Sequence, residues 1–264
     1  MNSGELAREI RKKAVEMVYV AKASHIGGAL SMADLLAVLY SSVLKYDSQN
    51  PEWSERDRFL LSKGHACASL YAVLALEGFF DIEELETYGK DGSRLLTHAS
   101  HKVPGVEFST GSLGHALPVG CGIALAAKRK QGTWRTFVLL SDGELDEGSN
   151  WESILFAPQH KLDNLTVIVD YNKIQSLGNV KEVIDLDPLC EKFKAFRWNA
   201  VEIDGHDHTE ILKALTEFPR KDGVPTAVIA HTVKGKGVDF MENKLLWHYK
   251  SPDDEQYKRA TEQI

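Results

Sequence analysis

Asp142 and Asn172 stand thirty positions apart, each just beyond an apolar run. Asp142-Gly143 follows Thr136-Phe-Val-Leu-Leu140, and Asn172 follows Leu165-Thr-Val-Ile-Val-Asp170. Thirty residues is about the length of one strand–helix–strand unit. The two loops can therefore lie side by side at the carboxyl edge of a parallel sheet, where ligands of open α/β sheets bind. A carboxylate and an amide oxygen at that edge suit Mg²⁺, which takes one or two protein ligands and fills its octahedron with water and phosphate oxygens. The pattern predicts a divalent ion holding a phosphorylated ligand.

Histidines gather around the same predicted loop ends. His25 lies in Ala23-Ser-His-Ile-Gly-Gly28, His65 follows a short apolar run, His98 and His101 sit in a glycine-bearing stretch, and His248 lies near the C-terminus. A single histidine is usually a surface or satisfied core residue. Four or five beside glycine point instead to an anionic, hydroxyl-rich ligand, because imidazole can donate to phosphate, recognise hydroxyls and shuttle protons. Gly111-Ser112-Leu113-Gly114 precedes a predicted helix, but it is not a GxGxxG fingerprint, and no Walker A sequence occurs. Nicotinamide and P-loop readings lose their main support. Asp-Gly alone is a common turn, so its weight comes from the strand context, the partner at Asn172 and the histidines. Cys67 near His65 could be read as a thiol nucleophile, yet it falls on an apolar helix face that favours an inert thiol. His206-Asp-His208 could be a metal pair, but a residue starting a helix is the simpler account.

The elements that must position these groups can be read from periodicity. Residues 5–22 and Ser31–Leu44 read as helices, the second with Ser31 as N-cap and Asp34 in its first turn. A strand at Arg58–Leu61 leads to a helix at Ala66–Glu77, closed by Gly78. The stretch 89–114 resembles a long active-site loop. Helix 115–130, rich in Ala and Gly, predicts tight packing. Strand 136–140, helix 147–159, strand 165–170, strand Asn199–Ile203, helix His208–Glu217 and strand Thr226–His231 follow. From about Lys234 the sequence reads as loop and polar tail. Strands alternating with helices imply an α/β fold, a parallel sheet flanked by helices on both faces, in one domain spanning residues 1–264.

Composition agrees. At 264 residues, with 43% hydrophobic and 26% charged, the chain can fill one large core. Its formal charge of −7 argues against general nucleic-acid binding. No apolar run approaches a bilayer span, and the N-terminus lacks a signal peptide's apolar core. The three cysteines are widely spaced without a CxxC pair, so no disulfide framework or structural zinc is indicated. A cytoplasmic enzyme, with no membrane partner, is expected.

The segments Ser141-Asp-Gly-Glu-Leu-Asp-Glu-Gly-Ser-Asn-Trp-Glu152 and Leu162-Asp-Asn-Leu-Thr-Val-Ile-Val-Asp-Tyr-Asn-Lys-Ile174 together resemble the thiamine diphosphate motif of transketolases. Lys22-Ala-Ser-His-Ile-Gly-Gly28, Asp57-Arg-Phe-Leu-Leu-Ser-Lys-Gly-His65, Pro104-Gly-Val-Glu-Phe-Ser-Thr-Gly-Ser-Leu-Gly114 and Thr232-Val-Lys-Gly-Lys-Gly237 extend the resemblance in collinear order. Ser141 departs from the family's usual glycine. The resemblance implies the thiamine-diphosphate-binding (PP-type) fold. It also implies Mg²⁺ or Ca²⁺ held by Asp142, Asn172 and the Ile174 carbonyl, with diphosphate contacts from Gly143, His65 and His248. Gly111, Ser112, Leu113 and Glu144 would belong to the cofactor-binding set. His25, His65, His98 and His248 would line the donor pocket, with His101 a neighbour that could exchange roles with His98. Glu147 matches an acid that communicates towards a second active site.

The implied reaction moves a two-carbon glycolaldehyde unit from a ketose phosphate to an aldose phosphate. Family members continue with a pyrimidine-binding domain carrying the activating glutamate. The chain is therefore expected to be the N-terminal subunit of a split transketolase, working with a separate C-terminal subunit in an α₂β₂ assembly. Pentose phosphates are the default substrates, with an apiose-derived ketose phosphate or a sulfonated sugar as the alternatives. Alternatives are part of a 2-oxo acid dehydrogenase or decarboxylase, a deoxyxylulose-phosphate synthase fragment, or a non-catalytic regulatory paralogue.

Overall fold

The computed structural model describes residues 1–217 and 222–264. Its strands are β1 (Arg58–Leu61), β2 (Thr136–Ser141), β3 (Leu165–Tyr171), β4 (Ile174–Gln175), β5 (Gly178–Asn179), β6 (Asn199–Asp204) and β7 (Thr226–His231). The five longer ones form one sheet in the order β1-β2-β3-β7-β6, every neighbouring pair parallel, while β4 and β5 make a small antiparallel hairpin. The apolar runs of β2 and β3 are buried along their whole length, as a sheet covered on both faces requires.

Alternate side chains serve two cores. Phe137, Leu139, Ile168 and Val228 pack with α1 (Ser3–Val20), α4 (Cys67–Leu76) and α9 (His208–Thr216). Val138, Leu140, Val167 and Ile229 pack with α5 (Ala116–Lys130), α6 (Gly148–Gln159) and α8 (Leu189–Ala195). The close packing predicted for α5 is found at Gly120, where a Cβ would come within 2.6 Å of Val138 Cγ2. The stretch 89–114 is irregular, as expected.

Three expectations need correction. The single helix over Ser31–Leu44 is instead α2 (Ile26–Ser31), α3 (Ala33–Val38) and a wide π-helical turn at Leu39–Val43, with the backbone breaking at Met32. Ser31 caps nothing: its Oγ donates to the Gly28 carbonyl at 3.0 Å and to Asp170. Asp34 does lie in the first turn of α3, but its side chain is committed to Arg11, His206 and His208.

The C-terminal segment is not merely a tail, since it ends in α10 (Asp254–Gln263). A capping box between Asp253 and Gln256 starts this helix, and Tyr257 stacks on Tyr19 with ring centroids 4.1 Å apart. Between β3 and β6 the structure adds β4, β5, α7 (Val180–Val183) and α8. These pieces are too short to show a period in sequence. Asp207 caps α9, accepting from the Thr209 and Glu210 N–H groups, as the simpler reading of His206–His208 anticipated.

Candidate active site

The carboxyl ends of β1, β2, β3 and β7 open onto a cleft of about 250 Å³. Asp142 leaves β2 and Asn172 leaves β3, and in register Ser141, one residue before Asp142, pairs with Asp170, two before Asn172. The expected juxtaposition is therefore built by neighbouring parallel strands. Asp142 is buried; Oδ1 accepts from the Gly143 N–H at 2.7 Å and Oδ2 from the Lys173 N–H at 2.6 Å. One carboxylate thus ties the two strand-end loops together. Asn172 Oδ1 accepts from the Ile174 N–H at 3.1 Å, and the Ile174 carbonyl accepts from Lys234 Nζ at 2.8 Å.

Burial, then the charge of nearby Asp170, pushes Asp142 up to about 6. Burial also pushes Lys234 down to about 8. A buried carboxylate strained in this way, beside an amide oxygen and a main-chain carbonyl, is a hard-oxygen set that fits Mg²⁺ or Ca²⁺. Gly143 lines the cleft next to it. A Cβ there would meet Gln175 Cβ at 2.6 Å, so any larger residue would push against the β4–β5 hairpin.

Four histidines line the opposite wall. His25 is held in the left-handed region at φ 72° where α2 begins, with its N–H donating to the His248 carbonyl at 3.1 Å. Its ring centroid lies 4.9 Å from those of both His65 and His248, and 6.1 Å from that of His98. Its buried Nδ1 has no hydrogen-bond partner among the described residues, as suits a group waiting for a ligand. Burial lowers His25 to about 4 and His248 to about 3, and drives His65 well down; neighbouring histidines and lysines add to each shift. Near neutral pH these imidazoles are uncharged in the free chain, so positive charge for an anion must come from elsewhere.

It comes from two lysines that sequence reasoning did not single out. Lys63 and Lys234 both line the cleft, and both are buried. Lys63 Nζ pairs with Asp170 and donates to the Gly28 carbonyl at 2.8 Å; Lys234 Nζ also donates to His248 Nδ1 at 3.0 Å. Asp170 takes further donors from Ser31 and Thr232. The signal was present in Ser62-Lys-Gly-His65 and Thr232-Val-Lys-Gly235, where each lysine stands beside a strand-end glycine.

The remaining expected residues separate. Gly111 and Leu113 line the cleft, while Ser112 is exposed next to them. Glu144 lies behind the cleft wall, fully buried, accepting from Ser62 and from the Gly114 and Ser141 N–H groups at 2.8 and 3.2 Å. It braces three loops and does not line the cavity. Glu147 is exposed at the start of α6, outside the cleft. His98 lines the cleft; His101 turns away, its Nδ1 2.7 Å from Ser109 Oγ. Cys67 is buried and pushed up to about 12 by burial, an inert thiol as expected.

Comparison with known proteins identifies the family. Residues 3–263 match the family described as transketolase, thiamine diphosphate binding domain. The chain is 41% identical over 254 residues to an apulose-4-phosphate transketolase subunit from Phocaeicola vulgatus, covering 96% of this chain and 90% of that one. It is 40% identical over 259 residues to the 6-deoxy-6-sulfo-D-fructose transketolase subunit SqwG of a Clostridium species, covering 98% and 94%. The crystal structure of Campylobacter jejuni transketolase aligns with a TM-score of 0.93 at 34% identity, covering 99% of this chain and 42% of that one.

Proposed function

Because the chain belongs to the transketolase family, as its thiamine diphosphate binding part, we propose that it holds the cofactor's diphosphate through a divalent ion. On this reading it moves a two-carbon ketol unit from a ketose phosphate to an aldose phosphate. The observation that carries the proposal is the convergence of three hard oxygens, two buried lysines and four histidines in one cleft.

Asp142, Asn172 and the Ile174 carbonyl would hold Mg²⁺ or Ca²⁺. Lys234, now on that carbonyl, and the backbone at Gly143 would face the phosphates, with His65 and His248 beside them. Once bound, thiamine diphosphate supplies the nucleophilic carbon and electron sink that let a ketose carbon–carbon bond break. The chain's own residues do the rest. His25, His65, His98 and His248 would hold sugar hydroxyls at fixed positions. An uncharged imidazole can accept a hydroxyl proton without first losing its own, and the negative charge of a bound diphosphate would raise its basicity. Gly111 and Leu113 would pack along the cofactor. Glu147, outside the cleft, would act towards a second active site.

Both of these relatives are called subunits, one of an apulose-4-phosphate transketolase and the other of a transketolase for a sulfonated fructose. We extend both features to this chain: a ketose with a terminal anion as donor, and a separate second subunit, in an α₂β₂ assembly, carrying the pyrimidine site. The rim of the cleft supports a docked partner. Leu177 at the tip of the β4–β5 hairpin is 77% exposed, and Leu246 and Tyr249, flanking His248, are 55% and 57% exposed. No described helix is long and apolar enough to cross a membrane, and we place the enzyme in the cytoplasm as one domain of 264 residues.

The test is reconstitution with the polypeptide encoded beside it, supplying thiamine diphosphate, Mg²⁺, a ketose phosphate and an aldose. Turnover that needs both chains and the metal is the expected result. Robust turnover by this chain alone would remove the second subunit from the scheme. Pyruvate-dependent dye reduction without sugar cleavage would replace transketolase chemistry with 2-oxo acid chemistry.

A further inference from the structure

Behind the cleft lies a second polar cluster with no part in the chemistry proposed for the cleft. Asp34 of α3 is about nine-tenths buried. Its Oδ1 accepts from Arg11 Nη1 at 3.1 Å and sits 3.0 Å from His208 Nε2; its Oδ2 takes Arg11 Nη2 and lies 2.6 Å from His206 Nδ1. His206 Nε2 is 2.9 Å from the backbone nitrogen of Val233. A backbone N–H can only donate, so Nε2 must accept, and the imidazole proton must sit on Nδ1 facing Asp34. The tautomer is fixed by its two neighbours. Arg11 anchors Asp34, Asp34 orients His206, and His206 holds the Val233 peptide.

Val233 precedes Lys234, whose ammonium reaches both the Ile174 carbonyl and His248. The next residue, Gly235, donates its N–H to the Gly27 carbonyl at 2.9 Å, inside the helix that starts at His25. The loop leaving β7 is thus pinned on both sides of Lys234: Thr232 bonds the Tyr171 carbonyl and Asp170, and His206 is the side chain that holds the Val233 N–H itself.

Taking the cofactor-binding reading as its premise, we infer that Asp34 and His206 are positioning residues for Lys234: they set the peptide that aims its ammonium at the diphosphate and the metal-binding carbonyl. Neither residue lines the cleft. They act through Lys234.

Four variants test this in the reconstituted two-chain enzyme: His206→Asn, His206→Gln, Lys234→Ala and the double variant His206→Asn/Lys234→Ala. The shorter Asn keeps a donor for Asp34 but cannot reach Val233, whereas Gln can place an acceptor near the Nε2 position. Losing one hydrogen bond is expected to raise the half-saturating thiamine diphosphate concentration about 3- to 10-fold in His206→Asn. His206→Gln should fall between His206→Asn and wild type, since the acceptor for Val233 is restored but Asp34 no longer fixes it. In the Lys234→Ala background His206→Asn should add nothing further, because contacts acting through one group are not additive.

A residue that only supports the fold would instead multiply its effect onto that of Lys234→Ala. Such multiplication, or a wild-type-like His206→Asn, would overturn the inference. If the variants fail to fold, ¹⁵N NMR of the wild-type imidazole still decides: a proton on Nε2 of His206 would break the link to Val233. Absence of any cofactor-dependent turnover in the wild-type pair would count against the functional reading alone, leaving the NMR result to judge the cluster.

Discussion

Asp142→Asn measures what the proposed metal site costs the chain when no metal is bound. The carboxyl's ordinary value is 3.8, and burial followed by the Asp170 charge raises it to about 6 in the fold. At about 1.4 kcal/mol per pH unit, that gap makes ionised Asp142 a liability of about 3 kcal/mol at pH 7.5. Because folding raises this pKa, the contribution is fully present below 3.8 and is lost as pH climbs through about 6. Asparagine removes the liability at a cost. The carboxylate uses both oxygens, one for the Gly143 N–H and one for the Lys173 N–H, and asparagine has a single acceptor. One orphaned N–H costs about 1–2 kcal/mol. In EDTA and without cofactor, the variant should be more stable than wild type by about 1–2 kcal/mol at pH 7.5, and the two should come within about 1 kcal/mol near pH 4, where the protonated carboxyl also keeps only one full acceptor. The two stability–pH curves converge towards acid. Urea denaturation at several pH values reads this directly, provided the slope against urea is unchanged. Mg²⁺ and thiamine diphosphate at about 100 times the dissociation constant should then stabilise wild type by about 2.7 kcal/mol and leave the variant unmoved. Parallel curves from pH 4 to 7.5 would refute the claim that burial of this carboxylate is uncompensated in the free chain.

Lys63→Met strands the fully buried Asp170 with only hydroxyl donors, and should cost about 3–5 kcal/mol in urea unfolding, mostly recovered in Lys63→Met/Asp170→Leu. A loss below about 1 kcal/mol would mean that the ion pair is not what neutralises the aspartate. In steady-state assays of the reconstituted enzyme, His98→Ala should lower kcat/KM for the ketose donor about 100-fold or more, whereas His101→Ala, which faces Ser109, should stay within about 2-fold. The reverse order would show that the loop is rearranged when substrate binds.

What the sequence disclosed and what it hid follow one physical division. Strands β2 and β3 are unbroken apolar runs because both faces of a parallel sheet are buried, so their ends, and with them Asp142 and Asn172, could be located from pattern alone. The irregular 89–114 loop was visible through its glycines. Pattern failed where a short element is held by tertiary contacts and not by its own period. The β4–β5 hairpin and α8 fall in that class, and so does the break at Met32, where Ser31 turns to Asp170 in preference to capping a helix. The capping box at Asp253 and Gln256 was a readable signal that the polar composition of the C-terminus obscured. Side-chain roles behaved likewise. Glu144 carries the family pattern, yet its partners on three separate loops make it a brace, a fact no spacing contains.

The charge state of the site completes the account. Histidines read from sequence suggest titration near neutrality, but burial of His25, His65 and His248, and then their closeness to one another and to two ammonium groups, favours their neutral forms. Burial, with Lys63 nearby, lowers Lys234, whose ammonium is left on a carbonyl oxygen in place of a carboxylate. A cleft with raised acid, lowered base and uncharged imidazoles is frustrated when empty. A divalent cation beside Asp142 and a diphosphate beside the lysines would relieve both halves together, because each supplies the charge that the other needs. Metal and diphosphate should therefore bind with positive cooperativity, each raising the affinity for the other by the same factor. Titrating thiamine diphosphate into the two-chain complex with and without Mg²⁺, and Mg²⁺ with and without thiamine diphosphate, measures that factor twice. Independent binding of the two would mean that the empty cleft already balances its own charges.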